Sequence, residues 1–170
     1  MNMHIGKLDV LVADDHKLTR TIVTEILFAT GCRKLRQVES GEAALEEFLK
    51  SPPDIAIVDY HMPSDGLTLL NKVRRGQYAG LDSALPVIVM TGFSDRNRIL
   101  NLRDAGATEI VTKPLSAKGI LSRLAAVIDN PRPFIRSPNF IGPDRRRKTA
   151  SDYEGPRRRD GETNDVWIVG

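Results

Sequence analysis

Short apolar segments alternate along the chain with longer segments in which apolar residues recur every three or four positions. Two of the short segments, Ile55 to Val58 and Val87 to Met90, are wholly apolar, which is typical of strands covered on both faces. The longer segments have the period of amphipathic helices. Gly31, Gly106 and Pro131 stand where three of these helices should end. The pattern predicts strands at 8–13, 34–38, 55–58, 87–90 and 108–112, and helices at 16–30, 41–51, 67–73, 95–105 and 116–129.

The alternation of strands and helices predicts an α/β fold. Strands joined through helices run parallel, and the favoured right-handed crossover places helices on both faces of the sheet. We therefore expect residues 1–130 to form a doubly wound, five-stranded parallel sheet with five helices. After residue 130 the composition shifts to Pro, Gly, Arg and Asp with little periodicity, so residues 131–170 are expected to be a mostly flexible, largely irregular tail.

Composition adds information about the compartment and about the tail. Residues 1–130 contain 16 Lys and Arg against 16 Asp and Glu, whereas residues 131–170 contain 9 against 6, so the whole positive excess lies in the tail. There is one cysteine, Cys32, and no apolar stretch of signal-peptide or membrane-span length. These features predict a soluble, cytoplasmic protein.

The tail has two basic clusters and an apolar end. Forty residues of this composition cannot readily form a helix-turn-helix, so we expect no DNA-binding domain. Arg145 to Lys148 and Arg157 to Arg159 are interpreted as solvated charge or as a weak site for an anionic partner. The terminal VWIVG, residues 166–170, is apolar enough to favour docking on this domain or on another protein.

The residues that directly follow the predicted strands are polar. Asp14 and Asp15 follow the first strand, Asp59 the third, Thr91 the fourth and Lys113 the fifth. Because sites in an open parallel sheet form beyond the carboxyl ends of its strands, these side chains should meet at one edge. Crowded carboxylates favour a hard cation such as Mg²⁺, and a carboxylate can itself accept a phosphoryl group while an ammonium neutralises its charge. The set indicates phosphoryl transfer, although each residue alone is equally compatible with a cap, a turn or the surface.

Four segments carry a family resemblance that covers residues 7–129. They are VLVADDH, DIAIVDYHMPSDG, PVIVMTG and GATEIVTKP, in the family's order and at about its spacing. In these segments the chain resembles the receiver domains of two-component response regulators. The resemblance implies a flavodoxin-like fold with strand order 2-1-3-4-5.

The resemblance also implies roles for the residues at the strand ends. Asp59 resembles the phosphoacceptor. Asp14 and Asp15 resemble the acidic pair that binds Mg²⁺ together with Asp59 and the backbone carbonyl of His61. Thr91 is similar to the switch hydroxyl that moves toward the phosphoryl group.

Lys113 resembles the lysine that pairs with the phosphoryl group, and the family's cis peptide bond is expected between Lys113 and Pro114. A receiver is a signalling switch and not an enzyme with a separate substrate. The resemblance therefore implies a histidine kinase or histidine phosphotransfer protein as the donor, and a separate downstream protein as the target.

The chain departs from the family pattern at two places. Within residues 62–66 one residue, and not the usual two, separates Met-Pro from Asp-Gly, so we expect a tighter loop after Asp59. Ile110 occupies the switch position three residues before the lysine, where the family usually has an aromatic residue. Since isoleucine has no ring to rotate between buried and exposed states, we expect an altered or weakened relay.

A phosphorylation-independent interaction module with the same fold is the alternative. Ile110 and the short loop favour it, whereas the acidic pair, Asp59, Thr91 and Lys113 oppose it. A phosphohydrolase using Asp59 has less support, because His61 stands where a second acid would be needed. Nucleotide hydrolysis is disfavoured because no glycine-rich loop ending in Gly-Lys-Ser/Thr follows the first strand.

Overall fold

A computed structural model describes residues 5–92, 96–137 and 140–144. Up to residue 129, strands and helices alternate as predicted, each close to its expected position. The strands are β1 (Asp9–Ala13), β2 (Lys34–Val38), β3 (Ile55–Asp59), β4 (Val87–Thr91) and β5 (Glu109–Thr112). The helices are α1 (Lys17–Ala29), α2 (Gly41–Lys50), α3 (Gly66–Arg74), α4 (Arg96–Asp104) and α5 (Ala117–Asp129).

The five strands pair in the order β2-β1-β3-β4-β5, and all neighbours run parallel. This confirms the predicted fold class and strand order. Successive side chains point to opposite faces of the sheet. Leu11 and Val58 pack with α2, α3 and α4, whereas Val12 and Ile57 pack with α1 and α5. Within the described ranges, no helix is both long enough and apolar enough to cross a membrane.

Helix ends follow from local side-chain chemistry. The hydroxyl of Ser40 accepts a hydrogen bond from the backbone N–H of Ala43 at the start of α2, and Ser116 does the same at the start of α5. Gly31, which follows α1, has a φ of 97°, a left-handed conformation that glycine adopts without strain. Ser94 stands directly before the helix predicted at 95–105, where a serine is expected to cap it, but it lies outside the described residues.

A β-hairpin follows α5 that the sequence pattern does not predict. Strands β6 (Phe134–Ser137) and β7 (Phe140–Pro143) pair antiparallel. The expectation of irregular chain directly after residue 130 is therefore corrected for this segment. Each strand has only four residues, and β7 contains Gly-Pro, so neither shows a readable periodicity. Residues 145–170, with both basic clusters and VWIVG, lie outside the described part of the chain.

Arg74, in the last turn of α3, is buried and joins three segments. Its Nε atom donates a hydrogen bond to the carbonyl oxygen of Gly106 at 2.9 Å. Its Nη1 atom donates to the carbonyl oxygens of Ser83 and Leu85, both at 2.8 Å. The guanidinium carbon also lies 4.9 Å from the ring centroid of Phe134. Arg74 thus links the segment that leads into β4, the turn after α4 and the β6–β7 hairpin.

Candidate functional site

The carboxyl ends of β1, β3 and β5 bring two carboxylates and an ammonium into contact. Asp14 directly follows β1 and Asp59 ends the neighbouring strand β3. Lys113, which follows β5, places Nζ 3.0 Å from Asp14 Oδ2 and 2.8 Å from Asp59 Oδ1. The side chains of Asp14 and Asp59 are 0% and 2% exposed. The structure thus brings together three of the residues singled out from the sequence.

Burial and charge act on these groups in opposite directions. Burial raises the pKa of the Asp59 carboxyl and the Asp14 charge adds to the rise, while Lys113 and the backbone N–H of His61 counteract it. For Lys113, burial lowers the pKa of the ammonium, but the hydrogen bonds and charges of Asp59 and Asp14 outweigh burial and raise it. Lys113 therefore stays protonated at neutral pH and remains a cationic partner for Asp59.

Asp15 lies beside this buried group and is exposed to solvent. The Nδ1 atom of His16 lies 2.8 Å from Asp15 Oδ1, and the backbone N–H of His16 donates to Asp14 Oδ1 at 2.8 Å. One potential ligand atom from each of these three side chains lies within 4.8 Å of the others. The turn after β1 therefore directs two carboxylates toward the same small volume.

The donor set fits a hard divalent cation. When ionised, Asp14 and Asp59 place two negative charges against the single ammonium of Lys113, and Asp15 adds a third beside Asp14, so the carboxylates outnumber the ammonium. Carboxylate oxygens are ligands that Mg²⁺ prefers, and the exposed position of Asp15 gives access from solvent. His61, the remaining residue that the resemblance places here, donates its backbone N–H to Asp59 Oδ2 at 3.1 Å, so its backbone lies beside the Asp59 carboxylate.

Thr91 and Ile110 lie on β4 and β5, and Lys113 directly follows β5. Thr91 ends β4 and is buried. Its carbonyl oxygen accepts a hydrogen bond from the backbone N–H of Lys113 at 2.7 Å, which ties the ends of β4 and β5 together. The Lys113–Pro114 peptide bond is cis. Ile110 is half-buried on β5, against the hydrophobic layer under α2, α3 and α4.

The short loop after Asp59 packs closely on the backbone of Asp59. Ser64 takes a left-handed conformation with a φ of 55°. Asp65 then caps α3, with its Oδ1 atom accepting from the backbone N–H of Thr68 at 2.6 Å. A Cβ atom on Gly66 would lie only 2.2 Å from the carbonyl oxygen of Asp59. The first turn of α3 therefore rests on the Asp59 backbone with no room for a side chain.

Arg20 is a site residue that the sequence pattern does not single out. Its Nη1 atom donates to the carbonyl oxygens of Asp14 and Asp15, at 2.7 and 3.3 Å. Arg20 therefore holds the backbone of the turn that orients both carboxylates. An arginine one turn into a helix is usually a surface residue. The only feature of the sequence that could have indicated its role is its position, six and five residues after Asp14 and Asp15.

Comparisons with known proteins identify the family of this domain and agree with its fold. Residues 10–125 match the family model of the response regulator receiver domain. The chain is 25% identical over 116 residues to the chemotaxis protein CheY of Bacillus subtilis, covering 68% of this chain and 92% of CheY. It is 29% identical over 120 residues to the transcriptional regulatory protein PdtaR of Mycobacterium tuberculosis, covering 70% of this chain and 56% of PdtaR. The solved structure of the chemotaxis response regulator CheY4 of Vibrio cholerae superposes with a TM-score of 0.62 at 26% identity, covering 71% of this chain and 98% of CheY4.

Proposed function

The chain belongs to the response regulator receiver family, which acts in two-component signalling, and on that premise we propose that it is a switch phosphorylated on Asp59. A histidine kinase or histidine phosphotransfer protein is the proposed donor, in the cytoplasm. The observation that carries the proposal is the contact of one ammonium, on Lys113, with the buried carboxylates of Asp14 and Asp59. That contact fixes the position of the Asp59 carboxylate and places a positive charge beside it.

In the proposed reaction, Asp59 is the nucleophile. A carboxylate oxygen attacks the phosphorus of a phosphohistidine, and the P–O bond forms as the P–N bond breaks. The electron pair of the broken bond returns to the imidazole nitrogen of the donor, which takes up a proton. Lys113, 2.8 Å from Asp59 Oδ1, is close enough to neutralise charge on the transferred group.

Receivers generally bind Mg²⁺ at an acidic pocket, and we assign that pocket here to Asp14, Asp15, Asp59 and the backbone carbonyl of His61. When bound, Mg²⁺ would supply positive charge opposite the phosphoryl oxygens. The oxygens of Asp14 already have assigned partners in His16 and Lys113. Asp14 is therefore held in place, while the exposed Asp15 offers a more accessible ligand.

We further propose that Thr91 reads the phosphorylation state. Its hydroxyl moves toward the phosphoryl group and shifts the connection from β4 to α4, which begins five residues later. Ile110 has no ring that could rotate in response. Movement of the α4 backbone is therefore the main way in which the conformational change spreads from the phosphorylation site to the rest of the domain.

The downstream partner is proposed to bind over β5. A cavity of about 560 Å³ lies along this edge strand between α4 and α5. Its lining combines apolar side chains such as Leu100 and Ile110 with the arginines Arg103, Arg123 and Arg132. The acids paired with these arginines are Asp104 and Glu109, so the described surface has an excess of positive charge. A protein segment with apolar and acidic side chains fits this surface.

Mass spectrometry of the whole chain tests the phosphorylation proposal. After incubation with a small phosphodonor such as acetyl phosphate, we expect one acid-labile phosphoryl group per chain, and only when Mg²⁺ is present. A folded protein that gains no phosphoryl group with Mg²⁺ would contradict the proposal. That result would favour the alternative of a phosphorylation-independent interaction module, to which Ile110 already points.

A second prediction concerns Arg20. Replacing it with Met removes a positive charge near the acidic pair, which by itself would strengthen cation binding. It also removes the two hydrogen bonds that fix the turn, and loss of such support typically weakens metal binding about 10–100-fold. We expect the second effect to dominate, because Arg20 contacts carbonyl oxygens and not the carboxylates, so that Arg20→Met lowers Mg²⁺ affinity roughly tenfold.

Isothermal titration calorimetry with Mg²⁺ measures this effect. Arg33→Met is the matched control, because Arg33 Nη1 also donates to a backbone carbonyl oxygen, that of Phe28 at 2.8 Å, but at the opposite end of α1. The control should bind Mg²⁺ like the wild type. Unchanged or tighter binding by Arg20→Met would contradict the expectation that the loss of its hydrogen bonds outweighs the loss of its charge.

A further inference from the structure

The segment after α5 contacts the C-terminal end of α3 and the turn that follows α4. We call residues 132–137 and 140–144 the clasp. It lies beyond residue 125, where the match to the family model ends. The receiver resemblance therefore assigns it no role.

The first contact of the clasp is with the turn that ends α4. A Cβ atom on Gly106 would lie 2.5 Å from the carbonyl oxygen of Ile141, and one on Gly142 would lie 2.8 Å from the Cα atom of Gly106. Backbone thus packs directly on backbone, without a flexible side chain between them. If the end of α4 shifts, no flexible side chain at this contact can adjust to the movement. The shift must therefore move the clasp or separate it from the turn.

The second contact is with α3. Arg74 donates to the carbonyl oxygen of Gly106 and stacks on Phe134 of the clasp. The other end of the same helix, at Gly66, rests on the carbonyl oxygen of Asp59. The clasp therefore reaches the far end of a rigid nine-residue helix whose near end abuts the acceptor.

The third contact is with the start of β5. Arg132 donates to the carbonyl oxygen of Thr108, and its Nη2 atom lies 3.3 Å from a carboxylate oxygen of Glu109. The Nη1 atom of Arg132 donates to the carbonyl oxygen of Asp144 at 3.3 Å. One side chain thereby links both ends of the clasp to the β5 edge.

From these contacts we propose that the clasp is an autoinhibitory element of the receiver. It holds the far ends of α3 and α4 in the arrangement described, and a phosphoryl group on Asp59 displaces it. The inference rests on the proposed function, because it names how that same site is regulated. Since coupling between two sites is reciprocal, a clasp that is released by the phosphoryl group must also oppose binding of a phosphoryl mimic.

The test uses the whole chain, with beryllium fluoride and Mg²⁺ as the phosphoryl mimic. Phe134→Ala removes the ring that stacks on Arg74 and should raise the affinity for the mimic about fivefold or more. Ser137→Ala is the control, because among the described residues its hydroxyl donates to the carbonyl oxygen of Phe140, within the hairpin itself. The control should bind the mimic like the wild type.

Hydrogen exchange of the wild-type clasp gives a measurement that needs no variant. The mimic should increase amide exchange in residues 132–137 and 140–144. Equal affinity of wild type and Phe134→Ala, together with unchanged exchange, would overturn the inference and leave a clasp that only stabilises the fold. Failure of the wild type to bind the mimic would overturn the proposed function and this inference with it.

Discussion

The Asp59→Asn variant is expected to take up no phosphoryl group under conditions that label the wild-type chain. An amide is a poor nucleophile, so the variant lacks the group that attacks phosphorus. The change preserves the shape of the side chain. Because burial raises the pKa of Asp59, the ionised carboxylate is costly to bury, and a neutral amide should not unfold the domain. Mass spectrometry with a small phosphodonor and Mg²⁺ measures the label.

Asp54→Asn is the matched control for this experiment. Asp54 directly precedes β3, which Asp59 ends, and its Oδ2 atom accepts from the backbone N–H of Asp9 at 2.7 Å. An amide oxygen can keep that hydrogen bond. The control should be labelled like the wild type, and equal labelling of Asp59→Asn would show that another residue is the acceptor.

Much of the fold was predictable because its signals are local and repeated. β3 and β4 are uniformly apolar, and serine, glycine or proline marks the end of nearly every helix. The candidate site was predictable for a different reason. Parallel strands in an open sheet place their carboxyl ends at one edge, so Asp14, Asp59 and Lys113 were expected at the same edge once the strands were assigned.

Arg20 and the β6–β7 hairpin were not predictable in the same way. Arg20 binds backbone carbonyls, which every residue has, so no pattern in the sequence marks its partners. The hairpin strands are too short to show a period, and their contacts are with Gly106 and Arg74, far away in the chain. Such interactions depend on the assembled domain and not on local sequence.

Arg74→Met should be among the most destabilising substitutions in the domain. Burial lowers the pKa of Arg74 to about 9, so the guanidinium is still charged at neutral pH and relies on its hydrogen bonds. Methionine fills similar space but leaves the carbonyl oxygens of Gly106, Ser83 and Leu85 without these donors. At roughly 1–3 kcal/mol for each unsatisfied buried group, and with relaxation recovering part of the loss, we expect the free energy of unfolding to fall by about 3–5 kcal/mol.

Urea denaturation followed by circular dichroism measures this loss as a lower midpoint. Arg75→Met is the control, because it makes the same chemical change one residue along the chain at an exposed position. A surface substitution of this kind usually changes stability by no more than about 0.5 kcal/mol. Equal midpoints for the two variants would mean that the carbonyl oxygens find other partners, and that Arg74 does not hold α3, the α4 end and the hairpin together.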